Sequence, residues 1–216
     1  MIEINNIYNM DCVEGMKLMG DNSVDLVLTD PHYNAKDIGP NHRKYSQGEM
    51  YMDPKEYKKW CLSWFKEACR VSDLIIFTPG ISNTHIYPQP TWQICWHKPS
   101  SVSFNRMGGF NAWEPIFVYK NMVKKIRLGQ DYILQNTWNF HKGPERDHPC
   151  PKPLKLYEKI INIFTNKGET VLDPMAGSGT TAVACKELGR NYIVIDHNKK
   201  YCDITESRLK QEVLNL

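Results

Sequence analysis

The stretch VLDPMAGSGTTAVACKELGRNYIVID, residues 171–196, constrains the fold more than any other part of the chain. A short apolar run ends in Asp173-Pro174. A turn containing Gly177 and Gly179 follows, and a helical segment from Thr180 to Leu188 closes on Gly189. A second apolar run, Tyr192 to Ile195, ends in Asp196. Two buried strands joined through a single helix run parallel, and a parallel pair must be covered by helices on both faces. The remaining chain therefore has to supply further strand–helix units.

It does so. Residues 2–8 read as an edge strand, 11–19 as a short helix, and 24–28 as a continuous apolar strand. Asp53-Pro54 starts a helix that should run to about Arg70, because Asp is a good N-cap and Pro a good first helical residue. Leu74–Thr78, Trp92–His97 and Pro115–Lys120 read as strands, and residues 155–166 as a helix ended by Gly168. Thr170–Leu172 is a strand and 199–214 the last helix. Residues 34–52 and 121–150 read as long irregular loops, and loops of such length are usually functional or disordered. The expectation is one α/β domain spanning residues 1–216, doubly wound around a mostly parallel sheet.

Several classes are disfavoured. With 41% hydrophobic and 24% charged residues, the 216-residue chain has a globular balance and the length for a full core. No apolar run approaches the ~20 residues of a membrane span. Residues 1–12, MIEINNIYNMDC, lack the layout of a signal peptide, so a cytoplasmic protein is expected. The seven cysteines are scattered without a C-x-x-C pair, as for reduced thiols. His141, His148 and Cys150 match no common zinc spacing, so no metal is expected. Charge is uneven. From Lys120 to Lys155, eight Lys and Arg stand against three Asp and Glu, an excess of five over a segment of a chain whose net charge is +3. Such a segment suits either a polyanion partner or a solvated loop.

The glycine-rich turn suits a nucleoside cofactor. Gly177 and Gly179 allow positive φ and close approach of backbone to a ligand. The helix behind them offers free N–H groups and a positive dipole end. An acid at the end of the next strand, here Asp196, grips ribose hydroxyls in doubly wound folds. A phosphate loop would require Gly-Lys-Ser/Thr, but Thr180 stands where the lysine should be. A dinucleotide site would require a third glycine, which is missing. S-adenosylmethionine needs only the close turn and the ribose acid. A plain strand–turn–helix with convenient glycines remains the bland alternative.

A second signature sits near the N-terminus, where the strand at 24–28 runs into Thr29-Asp30-Pro31-His32-Tyr33. Together with DPMAGSGTT (173–181), HPCPKPLKLYEKII (148–161), GRNYIVIDHNKKYCDITESRLK (189–210) and the weaker FNAWEPIFVYKN (110–121), it resembles the DNA amino-methyltransferases, which methylate adenine N6 or cytosine N4. The family's tetrapeptide is Asp-Pro-Pro-Tyr, so His32 occupies its second proline position. The tetrapeptide precedes the cofactor loop, an order that resembles the permuted beta group.

The resemblance implies a Rossmann-like, seven-stranded-type sheet with S-adenosylmethionine as cofactor and DNA as partner. It implies a cofactor site lined by Asp173, Pro174, Ala176, Gly177, Ser178, Gly179, Thr180 and Thr181, with Asp196 on the ribose. Asp11 would lie near the adenine and Lys152 and Pro153 near the methionine end, though Asp11 also suits a helix cap and Lys152 a solvated site. Cys185 reads as core packing. Asp30, Pro31, His32 and Tyr33 would form the pocket for a flipped-out base. There Asp30 and the Pro31 carbonyl accept the amine protons, and Tyr33 stacks on the ring. Asp in the first position leans toward adenine N6, with cytosine N4 the close alternative. RNA or a protein amide is a more distant acceptor, and a non-catalytic binding subunit rests only on His32. With Asp30 as acceptor, His32 need not be the base. DNA contacts are expected from Lys36, Arg43, Lys44, Arg106, Lys142 and Arg146, with Trp138 and His141 nearby. No separate DNA-reading domain fits, so recognition is short or draws on a dimer or another subunit. The resemblance also implies a place in restriction-modification.

Overall fold

The structure, a computed structural model, describes residues 2–34, 51–98, 103–104, 110–120, 132–134 and 152–211. Its main sheet has the order β1-β10-β9-β2-β3-β7-β4-β8. The strands are β1 (Asn6–Asn9), β2 (Leu26–Thr29), β3 (Leu74–Phe77), β4 (Trp92–His97), β7 (Trp113–Lys120), β8 (Tyr132–Leu134), β9 (Thr170–Asp173) and β10 (Asn191–Asp196). β5 (Ser103–Phe104) and β6 (Phe110–Asn111) pair separately as a small antiparallel ribbon. β7 runs antiparallel to both its neighbours, and every other pairing in the sheet is parallel.

The helices are α1 (Cys12–Lys17), α2 (Pro54–Val71), α3 (Leu154–Phe164), α4 (Thr180–Leu188) and α5 (Lys199–Gln211). Alternation along the strands divides them between the two faces. Val27, Ile75, Phe77, Leu172 and Ile193 point toward the α1 and α2 side, where Met16, Tyr57, Cys61, Trp64 and Phe65 meet them. Leu26, Leu28, Ile76 and Val171 point the other way, onto Leu156, Ile160 and Ile161 of α3 and Ala184 and Cys185 of α4. This two-sided burial is why β2 reads as an unbroken apolar run. Cys185 is fully buried, as core packing requires.

The helix expected from Asp53-Pro54 forms, with the Asp53 carboxylate accepting from the Lys55 N–H. Two features depart from the expectation. β8 lies inside a segment that reads as irregular and pairs with β4, adding an edge strand to the expected seven. The β5–β6 ribbon lies between the strands expected at 92–97 and 115–120, where the sequence shows no strand pattern. All three are two- or three-residue strands, too short to show alternation, and their partners are supplied from elsewhere in the fold. No helix among the described residues is long and apolar enough to cross a membrane.

Candidate functional site

From β9 the chain winds outward through α4 to β10. From β2 it winds the opposite way through α2 to β3. The C-terminal ends of β9 and β2 are therefore the point where strand order reverses, and the crevice there is where open α/β sheets bind ligands. Both sequence signatures arrive at it, since β9 delivers Asp173 and β2 delivers Asp30.

A buried network joins them. The Thr29 hydroxyl donates to Asp173 Oδ1 at 2.7 Å, the Thr181 hydroxyl donates to Asp173 Oδ2, and the Met175 N–H reaches Oδ1 at 3.1 Å. Burial pushes the Asp173 carboxyl up to about 7 against the lowering effect of these donors. Asp173 and Thr181 thus brace the turn from below. Pro174, Ser178 and Thr180 are buried, while Ala176 and Gly177 are partly exposed.

Gly177 has φ +52° and Gly179 has φ +78°, so the left-handed turn expected of these glycines is present. At Gly179, however, close approach of a ligand is not what demands glycine. A Cβ there would stand 2.3 Å from Thr205 Cγ2 on α5, so helix packing fills that space. Arg208, also on α5, donates to the Ser178 carbonyl at 2.7 Å and fixes the turn from the same side.

Asp196 closes β10. Its Oδ2 accepts the Gly177 N–H and its Oδ1 accepts the Asn198 N–H, both at 2.8 Å. Burial raises its pKa, opposed by those two N–H groups. The Met10 N–H bonds to the Asp196 carbonyl at 3.1 Å, which brings Asp11 alongside. Asp11 caps α1 by accepting the Val13 and Glu14 N–H groups through Oδ1 at 2.8 and 3.0 Å, so it is a helix cap at the rim of the crevice. Pro153 occupies the N-cap position of α3, and the Lys152 carbonyl accepts from the Thr180 hydroxyl at 3.4 Å. These segments bring two acids and a helix N-terminus together, a set of groups that suits a nucleoside with a ribose diol better than a polyphosphate.

The second wall is the Asp30 loop. Lys152 Nζ lies 2.5 Å from Asp30 Oδ2, and the Tyr33 hydroxyl donates to Oδ1 at 2.5 Å. The Thr78 hydroxyl donates to the same oxygen, and Lys152 also reaches the Tyr33 hydroxyl at 3.1 Å. Burial, with Asp30 and Glu114 nearby, drives the Tyr33 pKa well up. Burial works against the charge on Lys152, but Asp30 and Glu114 outweigh it and hold its pKa above the ordinary lysine value. The Tyr33 ring lies against Gly80, where a Cβ would be 3.1 Å from two ring carbons at φ +72°.

The loop's carbonyls are unevenly used. The Tyr57 hydroxyl donates to the His32 carbonyl at 2.6 Å, and the Asn83 amide donates to the Tyr33 carbonyl at 3.0 Å. No described residue donates to the Pro31 carbonyl. Asn34, at φ +51°, ends the turn and exchanges two hydrogen bonds with the backbone of Met52.

His32 packs on α2. Its ring packs beside Tyr57 and Trp60 of α2, with centroids 5.4 and 5.5 Å away, and Nδ1 accepts the Asn34 N–H at 3.0 Å. Burial, helped by His197, lowers its pKa, so the ring is neutral near pH 7.

Thr29, Thr78, Gly80, Trp96, Lys98 and Glu114 escape sequence reasoning. A signal exists for two of them: Thr29 and Thr78 are the hydroxyl residues that follow apolar runs immediately before Asp-Pro and Pro-Gly. Lys36, Arg43, Lys44, Arg106, Trp138, His141, Lys142, Arg146, His148 and Cys150 lie outside the described residues.

Comparison with known proteins agrees with this arrangement. A family model described as DNA methylase, of the N6/N4 methyltransferases, matches residues 89–207. The chain is 30% identical to the Type II methyltransferase M.HinfI of Haemophilus influenzae, across 96% of this chain and 69% of that protein. It is 29% identical to the Type II methyltransferase M.HpaI of Haemophilus parainfluenzae, across 94% and 73%. Among solved structures, the M1.HpyAVI–SAM complex superposes with a TM-score of 0.64 at 25% identity, covering 94% of this chain and 98% of that one. The cytosine-N4-specific PvuII DNA methyltransferase reaches a TM-score of 0.72 at 16% identity, covering 96% and 87%, and so shares the fold. The doubly wound sheet, with both signatures at its switch point, is that of the N6/N4 DNA methylases, and the chain belongs to this family.

Proposed function

We propose that this protein methylates the N6 amine of adenine in DNA, with Asp30 and the Pro31 carbonyl as the groups that accept the amine's protons. One observation carries the reading. The loop ties up the carbonyls of His32 and Tyr33 but leaves that of Pro31 without a described donor, immediately after the Asp30 carboxylate.

When bound, S-adenosylmethionine supplies an electrophilic methyl on a sulfonium. The chain's own residues do the rest. Asp196 would hold the ribose diol, Asp11 would border the adenine, and Lys152, Pro153 and the turn 173–181 would line the methionine portion. An exocyclic amine is a poor nucleophile because its lone pair is delocalised into the ring. Two acceptors at Asp30 and Pro31 draw the nitrogen toward tetrahedral geometry and free that lone pair. Asp30, or water beside it, takes the released proton. Rigid placement of both walls on one sheet would hold the reacting groups in a fixed mutual orientation. The base must leave the duplex to enter, and Tyr33 would be the ring that stacks on it. Asp30 in place of serine is the feature that favours adenine.

DNA contacts are assigned to the segments 34–52 and 121–150 and to Arg106, with Lys36, Arg43, Lys44, Lys142 and Arg146 as cations. Residues 1–216 act as one catalytic domain in the cytoplasm, in restriction-modification, with recognition completed by a second copy or another subunit. The test is incubation with labelled S-adenosylmethionine and DNA, followed by identification of the modified nucleoside. N6-methyladenine is expected. N4-methylcytosine would overturn the choice of base, and cofactor binding without transfer would overturn catalysis.

A further inference from the structure

In this structure Asp30 is not ready for an incoming amine. Tyr33 and Thr78 both donate to its Oδ1, and the Lys152 ammonium occupies Oδ2 at 2.5 Å. A cation on that oxygen occupies the place to which an amine N–H would donate. It also opposes the positive charge that builds on the amine nitrogen as the methyl arrives. Lys152 must therefore leave Asp30 before transfer, yet its side chain is only 11% exposed and a buried ammonium needs a counter-charge.

The fold holds one. Glu114, on β7 and in register with Trp96 on β4, accepts from Lys98 through Oε1. Its Oε2 is buried and has no hydrogen-bond partner among the described residues. Lys98 Nζ stands 4.7 Å from the centroid of the Trp96 ring and Lys152 Nζ 5.9 Å from the same ring, so the two lysines and Glu114 gather around one indole. Glu114 already acts electrostatically on both Lys152 and Tyr33. A buried carboxylate oxygen without a donor is costly unless something comes to it.

We infer that Glu114 is a positioning residue that receives Lys152. When the target amine enters, the ammonium exchanges Asp30 Oδ2 for Glu114 Oε2, freeing Asp30 to accept the amine protons. The same movement takes the cation away from the Tyr33 hydroxyl. This rests on the role of Asp30 proposed above.

The test measures single-turnover methyl transfer and S-adenosylmethionine affinity for wild type, Asp30→Ala, Glu114→Gln, Lys152→Met, Lys152→Met/Glu114→Gln and Lys98→Met/Glu114→Gln. Glu114→Gln should slow transfer by about tenfold or more, the scale of a misplaced catalytic group, with cofactor affinity little changed. In the Lys152→Met background the same change should cost little, because the two residues act on one event. The Lys98→Met/Glu114→Gln variant replaces the buried pair with uncharged groups and restores stability, but it should remain slow. It also carries the test if Glu114→Gln alone does not fold. Transfer at the wild-type rate in that double variant, or additive losses with Lys152→Met, would overturn the inference. Undiminished transfer by Asp30→Ala would instead overturn the reading beneath it.

Discussion

Thr29 Oγ1 lies 2.7 Å from Asp173 Oδ1, beneath the floor of the crevice. Thr29 immediately precedes the Asp30 loop and Asp173 begins the glycine-rich turn, so this hydrogen bond ties the two halves of the site together. Because Asp173 is buried with its carboxyl raised to about 7, protons bind it more tightly in the folded than in the unfolded chain, where a carboxyl near 3.9 is ordinary.

The stability this contributes is fully present below about pH 4 and is lost as pH rises toward 7. Each tenfold gain in proton affinity on folding corresponds to ~1.4 kcal/mol, so a few kcal/mol are involved. We expect Asp173→Asn to flatten this contribution. Denaturant unfolding at pH 5 and at pH 8 should show a smaller stability difference for the variant than for wild type.

Gly179 combines φ +78° with a Thr205 contact that leaves no room for a Cβ. A left-handed non-glycine residue costs roughly 1–2 kcal/mol before any clash, and overpacking adds ~1–3 kcal/mol. Gly179→Ala should therefore lower the thermal midpoint strongly. Adding Thr205→Ala should recover part of the overpacking cost and none of the backbone cost, as read by calorimetry on the three proteins.

Asp196 is held by two backbone N–H groups while both its oxygens retain further acceptor capacity. Asp196→Ala removes the grip proposed for the ribose and releases the Gly177 N–H. A charge-assisted hydrogen bond contributes ~1.5–3 kcal/mol, so S-adenosylmethionine affinity should fall by roughly ten- to a hundredfold. Titration calorimetry reads this directly.

Replacing Asp30 with Ala should separate catalysis from binding. Transfer should fall by about a hundredfold or more, the usual contribution of a positioned proton acceptor. Cofactor affinity should stay within a few-fold, because Asp30 lies on the opposite wall from Asp196.

His32 packs on α2 and is neutral near pH 7. His32→Ala should cost about 1 kcal/mol of stability through lost packing and the lost acceptor for Asn34. Transfer rates for variant and wild type should change in parallel between about pH 5.5 and 8, a range that spans the ordinary histidine pKa. A limb near pH 6 that disappears only in the variant would make His32 the base.

Much of this is legible in the chain. Continuous apolar runs at β2, β3 and β9 announce strands buried on both faces, and Asp53-Pro54 and Gly189 mark helix ends, because these signals are local. The residue types at Asp30-Pro31 and Asp196, which carry the proposed chemistry, are legible for the same reason. The two- and three-residue strands leave no signal, since their structure is imposed by partners distant in sequence.

What the sequence by itself determined is the set of longer elements and the two chemical signatures at their ends. Only the tertiary structure decided how those signatures meet. It put Lys152 on Asp30, Thr29 on Asp173 and Thr205 in the space above Gly179, and it packed the His32 ring beside Trp60. It also left Glu114 with a buried oxygen beside Trp96. Each of these is a contact between segments far apart along the chain. Residue spacing does not encode such a distance, because it is set by the order and direction of strands in the sheet.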